Sequence, residues 1–350
     1  MSPYNILFIH FHLCCRLLKI GIILSIEFIH FWSRANIMVK VVVAGGTGAV
    51  SQEIVAAIVD SRKHDVTVWT RSTKPKHQFP GVAYVQANYD DHRSMVGMLA
   101  GVHSVLCFIS QPDVQKALID ACIAAGVKRY APNEWAARSN SGSFAYHEKD
   151  QVHEYLQKVN ANGKVIEYSL FQPGLFTNYL SSPIQSATFC PIWTNHWDIA
   201  NRRAIVPAER DWELSTTTIQ DLGKVVAEAL AYEGEWPEIG GITGTKTSSS
   251  AIIKAAERIR GPFKVETVST ELLKAGKLNA SWAPLLPEFP SLDPNYDRVK
   301  FSEYVVAEIL LGGLDGAWST SDEWNKLLPH LKLTSVEEFL LEYWGDKAQC

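Results

Sequence analysis

Several features are missing from this chain, and each absence removes a class of function. The 350 residues include six cysteines, at positions 14, 15, 107, 122, 190 and 350, yet these form no CxxC pair and no zinc-ligand spacing. Cys107 lies in an apolar run and Cys122 in a helical one, so both read as small core residues, and a reducing compartment, the cytoplasm, is the expected location. No block of five or more like charges occurs and the formal net charge is -4, which argues against a nucleic-acid partner. A GxSxG elbow is absent, so serine hydrolase chemistry is not expected. The stretch GGITGTKTS, 240–248, fails as a phosphate loop because Thr245 stands where glycine must precede Lys246. It reads instead as a turn whose serines cap a helix starting near 250. His147 and His153 are six residues apart, about 240° round a helix, and cannot share a metal ion. No metal site is expected.

The first 37 residues are densely apolar, but Arg16, Lys19 and Glu27 interrupt them, so no uncharged run of about 18 residues exists to span a bilayer. The segment also lacks a basic start and a small-residue cleavage site. Of three readings (an interfacial anchor, a signal peptide, or sequence upstream of a natural start at Met38), the third is favoured. MVKVVVAGG places a compact strand directly after that methionine.

What remains is 47% hydrophobic and 20% charged over the whole chain, enough to bury a substantial core. Short β-branched runs at 40–45, 65–70, 82–87, 104–109, 128–132 and 165–171 alternate with stretches of helical periodicity near 50–61, 91–100, 112–126 and 144–162. Apolar strands alternating with helices predict a Rossmann-type, doubly wound parallel α/β sheet in the order 3-2-1-4-5-6.

The turn after the first strand, AGGTGAVS, carries Gly45, Gly46 and Gly48, then Ser51 where a third glycine is usual. In a strand–turn–helix context the glycines let the backbone approach a pyrophosphate facing the amides of the next helix. Gly45, Thr47, Gly48, Ala49 and Val50 are the candidate contacts. Ser51 bears on helix-to-strand packing, with its hydroxyl bonding back to a helix carbonyl and the gap slightly widened. At the end of the second strand an NAD site usually carries a carboxylate; here WTRSTKPK offers Arg71, Lys74 and Lys76. Cations suit a 2'-phosphate, so NADP(H) is the expected cofactor, with Arg71 and Lys74 holding it.

Further chemistry belongs beyond the carboxyl ends of strands four to six. There ISQPD, PNEWAARSN and FQPGLFTNYL supply Ser110, Gln111, Asn133 and Gln172 as cofactor candidates. Between the last two, the helix around HEKDQVHEYL holds Lys149, whose ammonium can orient a nicotinamide ribose and shuttle a proton, since its pKa falls readily on desolvation. Tyr146 precedes it by three residues rather than the four of ordinary short-chain dehydrogenases and is not assigned a catalytic role. Phe176, Tyr179, Phe189, Trp193, Trp197 and Trp212 are dense enough to wall a flat ligand's pocket or to fill a core; Phe176, Tyr179 and Trp193 are the substrate candidates. The proline-rich 284–297 reads as a lid or a rigid connection. TTIQDLGKVVAEAL, capped near Thr217 or Thr218, is expected to pack back on the nucleotide domain.

VVVAGGTGAV, VKRYAPNEWA, KDQVHEYL, PGLFTNYL, TTTIQDLGKVVAEAL and LLPHLKLTSVEEFLLEYW together resemble the fungal branch of the isoflavone reductase-like, NmrA-like proteins, which are atypical short-chain dehydrogenases. The resemblance covers most of residues 39–345. It implies an NADP-binding domain, 38–175, followed by a smaller α+β substrate domain, 176–350, with segments returning to the first. It further implies that Lys149 acts as general acid or base on a small aromatic or phenolic substrate. The chain departs from the pattern at Ser51, Asn88, Asn133 and Ala136, where glycine, Asp, Ser and glycine are usual. An NADPH-dependent reductase, a monomer or homodimer, is the leading expectation. A non-enzymatic NADP-sensing regulator and a redox-neutral isomerase or cyclase stay open beside it.

Overall fold

The computed structural model describes residues 38–72, 75–139, 146–288 and 295–345. The expectations on residues 1–37, on Lys74 and on part of the proline-rich stretch therefore lie outside the described residues.

The first strand, β1 (Val39–Ala44), buries Val41, Val42, Val43 and Ala44 on both of its faces, as a central parallel strand must. It pairs in parallel with β2 (His64–Thr70) on one side and β4 (Ser104–Cys107) on the other. β3 (Ala83–Gln86), β5 (Arg129–Ala131) and β6 (Glu167–Tyr168) complete a six-stranded sheet ordered β3-β2-β1-β4-β5-β6, the order expected. Helices α1 (Ala49–Ser61), α2 (His92–Met98), α3 (Pro112–Ala125) and α4 (His147–Val159) supply the crossovers. Each predicted element is present within a few residues of its predicted bounds, and β3, β4 and β5 are shorter than predicted.

The sixth run resolves into two strands. β6 closes the main sheet, whereas β7 (Leu170–Gln172) pairs with β12 (Ile239–Gly241). Two further small sheets, β14-β10-β9 and β13-β11-β8, bring together β8 (Leu175–Phe176), β9 (Trp197–Asp198), β10 (Arg203–Pro207), β11 (Glu213–Thr217), β13 (Thr245–Ser248) and β14 (Lys264–Val268). Their inward faces join α6 (Ser249–Arg260), α8 (Arg298–Leu314) and α10 (Val336–Trp344) in one apolar cluster containing Trp212, Ile252, Leu310 and Phe339. GGITGTKTS is therefore two strands and a turn rather than a turn alone, and Ser248 caps α6 by accepting from the Ala251 amide.

α5 (Ile219–Ala231) begins at Thr218, whose hydroxyl accepts from the Asp221 amide, and packs back on α1. A Cβ on Gly223 would lie 2.6 Å from the Ala57 Cβ, so the two helices meet at a contact closer than a larger residue permits. Among the described residues no helix is long and apolar enough to cross a membrane.

Candidate functional site

At the carboxyl edge of the sheet the chain builds two concavities. The first is a cleft of about 660 Å³ bordered by the glycine turn, the ends of β2 and β4, and the segment after β3. Gly45 has φ 74° and a Cβ there would lie 3.2 Å from the Phe108 carbonyl group, so glycine is needed both for the turn and for its approach to β4. Gly48 caps α1 with no side chain on the helix amides, which leaves that N-terminus for an anion. A pyrophosphate fits this cradle.

Ser51 bonds back to the first carbonyl of the helix, that of Gly48, as the sequence suggested. Its hydroxyl donates to Gly45 O at 3.1 Å and Gly48 O at 2.9 Å, pinning the glycine turn itself. Replacing this buried serine removes both bonds while Gly48 O keeps the Gln52 amide. Ser51→Ala is thus expected to lower unfolding free energy by about 0.5–1.5 kcal/mol, seen as a lower urea midpoint at unchanged slope.

Of the twelve cofactor candidates, Gly45, Thr47, Gly48, Arg71, Ser110 and Gln111 line this cleft. Arg71 is exposed at its mouth, while Lys76 is exposed elsewhere and is not part of the lining. Ala49 and Val50 turn instead toward a small apolar cluster with Ala187, Cys190 and Ile219, because their side chains leave α1 away from the turn. Asn133 uses its amide to bond Gln115 Oε1 of α3 at 3.0 Å. Gln172 is buried and donates to Ser139 Oγ at 2.9 Å. Neither Asn133 nor Gln172 borders the cleft. Trp69, Asn88, Tyr89 and Asp90 do; of these only Asn88 stood out in the sequence, since a residue at or just after a strand end carries no periodic signal.

The second concavity is an apolar cavity of about 370 Å³. Phe176, Tyr179 and Trp193, the three substrate candidates, form one wall, with ring centroids 6.2 and 5.4 Å apart in sequence. Tyr146, Trp318 and α8 form the others. Gly174 lies on its floor at φ 72°, and a Cβ there would sit 2.1 Å from Ser215 O, so no other residue fits without moving the backbone. Trp197 and Trp212 belong to the core instead, stacked 5.8 Å apart around the buried His196. Phe189 packs on His77 and Phe79.

Trp135 and Ala136 connect a wall of the cleft, Phe108, to the cavity. Trp135 adopts φ 52°, a conformation costing roughly 1–2 kcal/mol. It is held there by stacking between Phe108, a cleft wall, at 4.5 Å and Phe171 at 5.4 Å, and by its indole N–H donating to Cys107 O at 2.8 Å. Ala136 then lines the cavity. Glu134, just before them, is buried, and its carbonyl accepts a hydrogen bond from Lys149 Nζ. Burial pushes the Lys149 ammonium below the usual lysine range, opposed by the Glu134 and Asp150 carboxylates. Burial likewise pushes the Glu134 carboxyl up, opposed by the Lys149 charge and by Ser139, whose hydroxyl donates to Oε2 at 3.2 Å. The ammonium also sits 5.0 Å from the centre of the Tyr146 ring, a cavity wall. Lys149 and Glu134 thus form a buried pair behind the Tyr146 wall of the cavity, each opposing the effect of burial on the other. Sequence reading found the lysine but not Glu134, although a carboxylate directly after an apolar strand end is the signal that marked it.

Against this geometry the comparisons can be placed. The NmrA-like family model matches residues 38–340. The chain belongs to the NmrA-like family. A protein of Botryotinia fuckeliana named oxidoreductase BOA1 is 28% identical over 242 residues, 64% of this chain and 77% of that protein. Among solved structures, an isoflavone reductase superposes with a TM-score of 0.64 at 17% identity over 87% of this chain and 99% of its own. The protein described as AtPrR2 with NADP+ and (+)pinoresinol gives a TM-score of 0.62 at 16% identity, over the same shares. At such identities these two establish the family fold and no more.

Proposed function

We propose that this NmrA-like family member is an NADPH-dependent reductase of a small aromatic or phenolic molecule bearing a carbonyl, enone or quinone methide, with Lys149 as the proton-handling group. The observation that carries the reading is the buried Lys149, whose Nζ lies 5.0 Å from the ring of Tyr146, a wall of the aromatic cavity, and donates to the carbonyl of Glu134, next to the Trp135 that stacks on the cleft wall Phe108. Gly45, Thr47 and the open end of α1 would hold the pyrophosphate, and Arg71 the 2'-phosphate. The cofactor supplies a hydride equivalent. The chain supplies the rest: Phe176, Tyr179 and Trp193 orient a flat acceptor and exclude water, and the Lys149 Nζ gives a proton to the acceptor atom that gains electron density. A lysine with a lowered pKa transfers that proton more readily than a solvated one, and the Glu134 carboxylate opposes the lowering. The names of the relatives, an oxidoreductase and an isoflavone reductase, support a redox reading over a purely regulatory one.

The test is titration with NADPH and NADH followed by turnover on a panel of aromatic enones and ketones. NADPH binding well above NADH, with turnover on part of the panel, is the expected result. NADPH binding with no turnover on any member would move the chain to the regulator class, and no dinucleotide binding would sink the proposal outright.

A further inference from the structure

The apolar cavity contains one feature that an aromatic, uncharged substrate leaves unused. Glu308, on α8, lines it together with Tyr146, Phe176, Tyr179, Trp193 and Trp318. Glu308 is half-buried, and burial alone pushes its carboxyl up, with no hydrogen bond or ion pair among the described residues to oppose this. The cavity's other nearby charge, the Lys149 ammonium, is already matched by Glu134 and Asp150. Glu308 therefore faces aromatic walls as an uncompensated negative charge. Aromatic ring faces carry negative potential as well, and a box of them around a carboxylate is arranged for a positively charged guest.

We infer that the cavity accepts a substrate carrying a cationic nitrogen, a protonated or alkylated amine attached to a flat ring system, with Glu308 and the surrounding ring faces as its counter-charge. A hydroxyl donor would need only a neutral acceptor; a carboxylate kept out of full hydration without a partner is favoured only when the guest brings the opposite charge. The volume of about 370 Å³ suits a compact molecule of one or two rings. The inference rests on the reductase reading only in taking this cavity as the substrate's seat, and Glu308 acts as a specificity-determining residue rather than in proton transfer.

Calorimetric titration of the full chain with tyramine, tyrosol and 4-hydroxyphenylacetate tests it, since the three share a phenol and differ in an amine, an alcohol or a carboxylate. Tyramine is expected to bind at least about tenfold tighter than tyrosol, and the acid weakest. Glu308→Gln should bring tyramine within about threefold of tyrosol while tyrosol affinity stays put, which also shows that the variant is folded. Glu308→Asp, which keeps the charge, should retain the amine preference. Equal binding of amine and alcohol by the unaltered protein, a preference untouched by Glu308→Gln, or no heat from any probe would each overturn the inference. NADPH titrated in the same cell separates the two readings. Amine preference without dinucleotide binding would sink the reductase alone, and dinucleotide binding with turnover of neutral acceptors only would sink this inference alone.

Discussion

Lys149→Ala is expected to lower kcat by about 10²- to 10⁴-fold, the usual contribution of a positioned proton donor, while the Kd for NADPH changes by less than about tenfold. The expectation follows from the place of the ammonium. It bonds to the Glu134 carbonyl and lies 5.0 Å from the centre of the Tyr146 ring, which walls the aromatic cavity. The pH dependence gives an independent check with a definite sign. A proton donor must be charged, and burial holds the Lys149 pKa below the usual lysine range. Turnover should therefore fall as pH rises through that lowered value, at a pH where a solvated lysine would still be fully protonated. Lys149→Arg, which stays charged throughout, should remove the alkaline fall and keep a fraction of the rate. An unchanged alkaline limb in that variant would assign the ionisation to another group.

The second large effect concerns cofactor choice. Arg71 is the cation that lines the cleft among the described residues, and it reaches the mouth where a 2'-phosphate would sit. Hydrogen bonds to charged groups contribute about 1.5–3 kcal/mol, so Arg71→Ala should weaken NADPH binding by roughly 10- to 100-fold and leave NADH within about threefold. Because Arg71 is exposed, the loss should shrink at high ionic strength. Asp90, on the same rim, opposes the phosphate in the unaltered protein, so the preference reflects a balance of two charges rather than one arginine. Fluorescence titration of both dinucleotides at two salt concentrations checks all three statements. Equal losses for NADPH and NADH would mean that Arg71 shapes the cleft rather than reading the phosphate.

The parts of this molecule that could be read from the sequence are those set by local pattern. β-branched runs alternate with helical stretches as far as residue 162, and each strand–helix–strand unit constrains the next through the right-handed crossover, so the sheet order followed. The same logic located Gly45, Thr47 and Gly48 in the cleft, because a strand–turn–helix junction positions its own backbone. It failed for Asn133 and Gln172. Both follow or end the correct strands, but the Asn133 backbone N–H is taken by Gln115 and the Gln172 side chain by Ser139, and neither residue borders the cleft.

The cavity is a long-range object, and the sequence marks it weakly. Phe176, Tyr179 and Trp193 were legible as an aromatic cluster, but Trp197 and Trp212 in the same cluster pack around His196 in the core. Nothing in the local pattern separates the two sets. Glu308 is less legible still. α8 is apolar around most of its circumference, so periodicity does not show which side meets Tyr179, and its wall of the cavity exists only once residues 130 positions apart are brought together. Ser51 is a third case. Its departure from glycine suggested a slightly wider helix-to-strand gap and a bond back to a helix carbonyl; the bond to Gly48 O is there, and the one to Gly45 O, which no local pattern shows, ties the turn down.

The central claim is that this chain moves a hydride equivalent from NADPH to an acceptor held in the aromatic cavity, and the most direct measurement is isotope transfer. NADPH carrying deuterium at the transferring position, incubated with the protein and an acceptor from the enone and ketone panel, should yield a reduced product that retains one deuterium on carbon by mass spectrometry. The Lys149→Ala variant should form the same labelled product more slowly. A converted product without the label, or conversion that proceeds equally well with no NADPH present, would contradict the account.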